Sequence, residues 1–209
     1  MRTRVKFCGI TRPGDAGQAV AAGADAIGLV FHEPSPRNLE ADQAALIAAG
    51  VPAFVTRVGL FVDPDPARVR SVLDRVGLDL LQFHGNEPAE FCRQFGRPYL
   101  KAIRMRPGLD PLAEMAAWPD AAGILLDAWR PDAEGGTGER FDWDRAPAER
   151  LRPLVLAGGL TPDNVAEAIR RVRPYAVDVS TGVESAPGIK DPQRMAAFMR
   201  GVRDGDDSR

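Results

Sequence analysis

Two residues carry types and positions that suit proton transfer between carbon and oxygen. Cys8 ends the apolar run Val5–Cys8, and Asp127 ends the apolar run Gly123–Asp127. A thiolate abstracts a proton and a carboxylic acid donates one, so the pair fits an isomerisation. An aspartate that closes an apolar strand is costly without a role. A cysteine in that position is also an ordinary small core hydrophobe. Lys6 lies two residues before Cys8, hence on the same face of a strand, where its charge would favour the thiolate.

Two further stretches suit an anion. Gly158-Gly159 follows the run Pro153–Ala157 and leads into Thr161-Pro162, a helix start. Ser180-Thr181-Gly182 follows the run Ala176–Val179. Glycine lets backbone N–H groups approach a phosphate, and a helix N-terminus adds a favourable dipole. Arg37, in the stiff stretch Ser35-Pro36-Arg37, has the planar fork that grips a carboxylate, although a solvated loop arginine looks the same in sequence. His84 and Asp178 also fall at the ends of apolar runs. His84 is placed to line the site or cap its own loop. His32, His84 and Asp127 together are a thin set for a metal, and no metal is expected. Cys92 falls inside a helical pattern and reads as packing.

These residues can act together only if the chain's elements bring them to one place. Eight apolar runs alternate with helical patterns: Val5–Cys8, Ala26–Phe31, Arg57–Val62, Leu78–Phe83, Tyr99–Arg104, Gly123–Asp127, Pro153–Ala157 and Ala176–Val179. Helices are expected over Asp15–Ala22, Glu40–Ala49, Asp65–Arg75, Pro88–Phe95, Asp110–Ala117, Asp142–Glu149, Pro162–Arg171 and Asp191–Arg203. Glycines 23, 50, 77 and 96 are the expected stops of the first four. Eight βα units predict an α/β, single-domain (β/α)8 barrel over residues 1–203, with function at the C-terminal ends of the strands. An open doubly wound sheet is disfavoured, since no GxGxxG follows the first strand. The tail, residues 204–209, is expected to be disordered. The long stretch Ala128–Phe141 is a candidate cover.

The totals agree with one such domain. The chain has 209 residues, with 27 basic against 29 acidic side chains. A net charge of −2 gives no drive toward nucleic acid or an anionic membrane. No apolar stretch reaches the ~20 residues of a membrane span, and the polar start lacks a signal core, so a cytoplasmic location is expected. Two cysteines without a CxxC argue against a disulfide framework or a zinc site.

The chain resembles phosphoribosylanthranilate isomerase. The matching stretches are Val5–Thr11, Gly28–Phe31 with Ser35–Arg37, Val58–Val62, Leu81–Glu87, and Leu125–Asp127 with Gly135–Gly138. Further on come Leu156–Leu160 with Pro162 and Asn164, and Asp178–Glu184 leading into Pro187-Gly188 and Lys190-Asp191. The resemblance implies a barrel without cofactor or metal, acting in tryptophan biosynthesis on a small phosphorylated substrate, as a monomer or homodimer. It implies an Amadori rearrangement of N-(5-phosphoribosyl)anthranilate to 1-(2-carboxyphenylamino)-1-deoxyribulose 5-phosphate. Asp127 would be the general acid, Cys8 the general base and Arg37 the holder of the anthranilate carboxylate. Gly158, Gly159 and Ser180–Gly182 would grip the phosphate, and the Gly135–Gly138 loop would cover the substrate. Asn38 stands where an aromatic is common, so ring stacking would fall to Phe31 or Trp129. The rivals are a non-catalytic phosphometabolite-binding barrel and another sugar-phosphate isomerase or epimerase. A dual-substrate barrel would need a second phosphate grip, and Gly9–Arg12 lacks the glycine pair for one.

Overall fold

The computed structural model describes residues 2–129 and 141–207. Its centre is a closed parallel barrel of eight strands in sequence order. These are β1 (Arg4–Cys8), β2 (Ala26–Phe31), β3 (Thr56–Phe61), β4 (Leu80–Phe83), β5 (Tyr99–Arg104), β6 (Gly123–Asp127), β7 (Leu154–Leu156) and β8 (Ala176–Val179). Closure comes from β1, which pairs with β2 on one side and β8 on the other. The helices are α1 (Pro13–Ala22), α2 (Ala41–Ala49), α3 (Pro66–Arg75), α4 (Ala89–Arg93), α5 (Pro111–Ala116), α6 (Val165–Val172) and α7 (Pro192–Asp207). Their starts are written locally. Asp65 and Asp110 accept hydrogen bonds from the first free N–H groups of α3 and α5, each followed by a proline that lacks one of those donors.

The strands are apolar on both faces, as a sheet covered by helices requires. Alternation along each strand sorts side chains into two compartments. Val5, Phe7, Ile27, Leu29, Phe31, Phe61, Leu81, Phe83, Ile124, Leu126, Leu154, Leu156, Val177 and Val179 pack outward against the helices. Leu100, Ala102, Leu125, Val155, Ala157 and Ala176 fill the barrel interior. Cys8, Val30, Leu60 and Val62 form a second interior group. The polar residues Lys6, Gln82, His84, Asp127 and Asp178 share the inward parity.

Three expectations differ from the structure, and one element was not expected. The stretch expected as a sixth helix forms only a single 3-10 turn, Trp143–Arg145. Pro147 forces Ala146 into an extended conformation and cannot donate a helical hydrogen bond. The tail expected to be disordered from Asp204 is the end of α7 as far as Asp207. Gly205 lies against Ile169, and Asp206 accepts from both the backbone N and the hydroxyl of Thr3 at 2.7 Å. Gly23 is the left-handed stop of α1, whereas Gly50 ends α2 in a right-handed conformation, α3 stops at Val76 before Gly77, and α4 stops at Gln94, two residues before the left-handed Gly96. A short hairpin, β9 (Glu184–Ala186) with β10 (Ile189–Lys190), intervenes between β8 and α7 and was not foreseen. The loop Gly135–Gly138 and the rest of residues 130–140 lie outside the described residues.

Candidate active site

Cys8 is 5% exposed and pairs in register with Gly28. Beneath it, Lys6 Nζ lies 3.0 Å from Asp178 Oδ1, a buried ion pair between adjacent strands. Lys6 does share a face with Cys8, but the expected activation of the thiol is not the net result. Burial pushes the Cys8 thiol up, Lys6 pulls it down by charge and hydrogen bonding, and Asp178 pushes it up again, so it stands above its usual value. Burial alone would lower Lys6, but Asp178 and Cys8 carry it above its ordinary range.

Asp127 is 6% exposed. Its Oδ1 accepts the Ala128 N–H at 2.9 Å, and its Oδ2 meets His84 Nε2 at 3.0 Å. His84 Nδ1 lies 3.0 Å from the Gln82 amide nitrogen. With that amide donating, Nδ1 accepts and Nε2 carries the proton toward Asp127. His84 thus faces the carboxylate rather than capping its loop. Arg104 Nη2 donates to the His84 carbonyl at 3.0 Å. The loop behind is pinned by Lys101, whose Nζ reaches Glu87 Oε2 and the Gly85 carbonyl, each at 2.7 Å. Gln82 is fully buried and had no role in the sequence reading. Its signal was one amide inside Leu80-Leu81-Gln82-Phe83, which matters only once parity places it beside His84.

The glycines after β7 press against the acid. Gly158 has φ +81°, and a Cβ there would stand 2.4 Å from Ala128 N and 3.0 Å from Asp127 Oδ1. The loops after β7 and β8 meet at an open cleft of about 600 Å³ lined by Leu160, Thr161, Pro162, Thr181, Gly182 and Arg194. Thr181–Val183 is a 3-10 turn that follows Ser180 directly.

Arg37 is not a solvated loop arginine. It is buried, and its Nε and Nη2 each donate to a Glu184 carboxylate oxygen at 2.7 Å. Phe31 is not at the mouth. It is buried on the outer face, stacked on Phe61 at 5.2 Å between ring centroids. Trp129, 38% exposed just after Asp127, keeps an accessible ring. Cys92 is buried in α4, its thiol pushed up to about 12 mainly by burial. Among the described residues no three His, Cys, Asp or Glu side chains are gathered as metal ligands, and no helix is long and apolar enough to cross a membrane.

Fold and site together define a (β/α)8 barrel whose buried polar groups converge at the C-terminal ends of the strands, the face where barrel enzymes work. A family model described as N-(5'phosphoribosyl)anthranilate (PRA) isomerase matches residues 5–201. An N-(5'-phosphoribosyl)anthranilate isomerase of Cellvibrio japonicus is 60% identical over 195 residues, 93% of this chain and 91% of that one. The crystal structure of phosphoribosyl anthranilate isomerase from Thermus thermophilus is 36% identical, with a TM-score of 0.86 over 96% of this chain and 98% of that one. A structure of the enzyme in complex with reduced 1-(o-carboxyphenylamino)-1-deoxyribulose 5-phosphate is 38% identical, with a TM-score of 0.82 over the same shares. The chain belongs to the N-(5'-phosphoribosyl)anthranilate isomerase family, and is an isomerase of the aldose–ketose type in tryptophan biosynthesis.

Proposed function

We propose that this chain converts N-(5-phosphoribosyl)anthranilate to 1-(2-carboxyphenylamino)-1-deoxyribulose 5-phosphate, with Asp127 as general acid and Cys8 as general base. The observation that carries the assignment is Asp127: a buried carboxylate at the end of β6, held by Ala128 N–H on one oxygen and by His84 on the other. Asp127 in its protonated form gives its proton to the furanose ring oxygen, and the Ala128 N–H and His84 then hold the carboxylate left behind. The C1–O bond breaks as the nitrogen lone pair forms the Schiff base. The Cys8 thiolate removes the C2 proton, and the electron pair moves to the C1–N system to give the enolamine. Tautomerisation returns a proton to C1 and leaves the C2 ketone, so no net proton or electron is exchanged. Positioned acid–base transfer of this kind contributes ~10²–10⁴-fold per group.

Arg37 holds the anthranilate carboxylate, and Gly158, Gly159, Ser180, Thr181 and Gly182 hold the phosphate. Asp178 keeps Lys6 paired beneath the thiol. Trp129 is the ring available to stack on the anthranilate. The two anionic ends of the substrate supply remote binding energy that fixes the reacting carbon between acid and base. The protein works in the cytoplasm as a monomer or homodimer. Asp127→Asn tests the assignment: kcat is expected to fall ~10²-fold or more while affinity for the reduced product analogue stays within a few-fold. Near-normal turnover would remove Asp127 from the mechanism.

A further inference from the structure

The hairpin β9–β10 contributes two buried charges, Glu184 and Lys190, one in contact with Arg37 and the other with Ser180. Lys190 Nζ has three donors and meets three acceptors: Glu184 Oε1 at 2.8 Å, Ser180 O at 3.2 Å and Ser180 Oγ at 3.4 Å. Its side chain is fully buried, so all its hydrogen-bonding capacity is used inside the protein. Burial lowers Lys190 below its ordinary value, and Glu184 offsets this only in part. Burial would raise Glu184, but Arg37 and Lys190 together hold its carboxyl below the ordinary range.

The consequences for the two ends differ. Ser180 Oγ accepts from the lysine, so its single O–H donor is turned away from Lys190. Glu184 occupies the Nε and Nη2 edge of Arg37, which leaves the Nη1 and Nη2 end edge for a second carboxylate. The Arg37 stem crosses Gly9 so closely that a Cβ there would lie 2.3 Å from Arg37 Cδ. The hairpin itself is anchored to the segment after β1, since Asp15 Oδ2 accepts the Lys190 N–H at 3.1 Å and the Thr11 hydroxyl donates to the Gly188 carbonyl.

We propose that Glu184 and Lys190 are positioning residues that couple the two ends of the substrate site, Glu184 orienting Arg37 for a carboxylate and Lys190 fixing both Glu184 and the Ser180 hydroxyl that faces a phosphate. This rests on the proposed assignment of Arg37 to the carboxylate and Ser180 to the phosphate. Neither residue touches substrate. Their effect passes through the groups that do.

The test is calorimetric binding of three probes to the folded full chain: anthranilate, ribose 5-phosphate and the reduced product analogue that carries both ends. Lys190→Met, which keeps Arg37 and Glu184 but removes the Nζ contacts that fix Glu184 and Ser180, is expected to weaken anthranilate and ribose 5-phosphate alike, each about tenfold, the scale of one misdirected hydrogen bond to a charged group. Glu184→Gln is expected to weaken anthranilate and leave ribose 5-phosphate within twofold. Ser180→Ala is expected to do the reverse. A purely structural role would lower the melting temperature of these variants without this pattern of affinities. Lys190→Met that binds both probes as wild type does, or loses only one of them, overturns the proposal. If Lys190→Met does not fold, the opposite losses of Glu184→Gln and Ser180→Ala decide it, and equal losses in both variants overturn it. Wild-type protein that fails to bind the reduced analogue counts instead against the functional assignment beneath it.

Discussion

Replacing Gly158 by alanine strikes the fold and the proposed acid at one point. The residue adopts φ +81°, a left-handed conformation that costs roughly 1–2 kcal/mol for a residue with a Cβ. The added Cβ would lie 2.4 Å from Ala128 N and 2.9 Å from Ala128 Cβ. Both neighbours belong to the chain just after β6, so relief requires a backbone shift. Overpacking of this kind costs about 1–3 kcal/mol. Together the two terms predict a loss of ~2–5 kcal/mol, or ~4–20 °C in melting temperature for a chain of this length. The shift falls on Asp127, whose Oδ1 is hydrogen-bonded to the same Ala128 N–H at 2.9 Å. A displacement on the order of 1 Å at a reacting group lowers turnover by about 10². The assay is thermal unfolding by circular dichroism beside kcat from the loss of substrate fluorescence. A Gly158→Ala variant that melts within about 2 °C of wild type and turns over within twofold would refute the packing of this loop against the acid.

Other perturbations separate the remaining groups. Cys8→Ala is expected to lower kcat by ~10²-fold or more, and a thiol reagent is expected to inactivate native enzyme through Cys8 and not through Cys92, with substrate protecting; sensitivity abolished by Cys92→Ala would reverse the assignment. Because burial raises the Cys8 thiol, kcat/KM should climb with pH above neutrality as thiolate forms, and a flat profile from pH ~7 to ~9 would count against a thiolate base. Both buried thiols have raised values, so their contribution to stability is complete below the unfolded value of ~8.5 and is lost as pH rises toward the folded one, about 12 for Cys92. Cys92→Ala should therefore make the alkaline decline in stability shallower, as read by urea unfolding at pH ~8 and ~10. Arg37→Ala should weaken binding of anthranilate more than of ribose 5-phosphate, and equal weakening would remove the carboxylate clamp. Truncation after Arg203 deletes the turn that bonds Thr3 and covers Ile169, and should lower the melting temperature by several degrees; an unchanged value would refute that packing.

The barrel was legible because its signals are local and repeated. Ala26–Phe31, Tyr99–Arg104, Gly123–Asp127 and Ala176–Val179 appear in the structure with the bounds their apolar runs suggest. Parity then placed Lys6 and Cys8 on one face without further information. The stretch from Asp142 has a helical composition, but Pro147 ends it after one turn. The tail looked disordered because Asp204–Asp207 is polar, yet the partners that order it, Thr3 and Ile169, are distant in sequence. The same limit hid the site's electrostatics. Lys6 alone would favour the Cys8 thiolate, but Asp178 lies beside it, and a clamping Arg37 and a solvated one read alike in sequence although Glu184 occupies its fork. Those partners lie 172 and 147 residues away, beyond any local pattern.

Asp127 and the isomerisation are tested together by mixing EDTA-treated protein with freshly prepared phosphoribosylanthranilate and following the fluorescence that disappears as the ketose forms. Rapid loss is expected with wild type, and near-complete retention with folded Asp127→Asn. Retained fluorescence with folded wild-type protein and intact substrate, or loss at the wild-type rate in Asp127→Asn, would contradict the assignment.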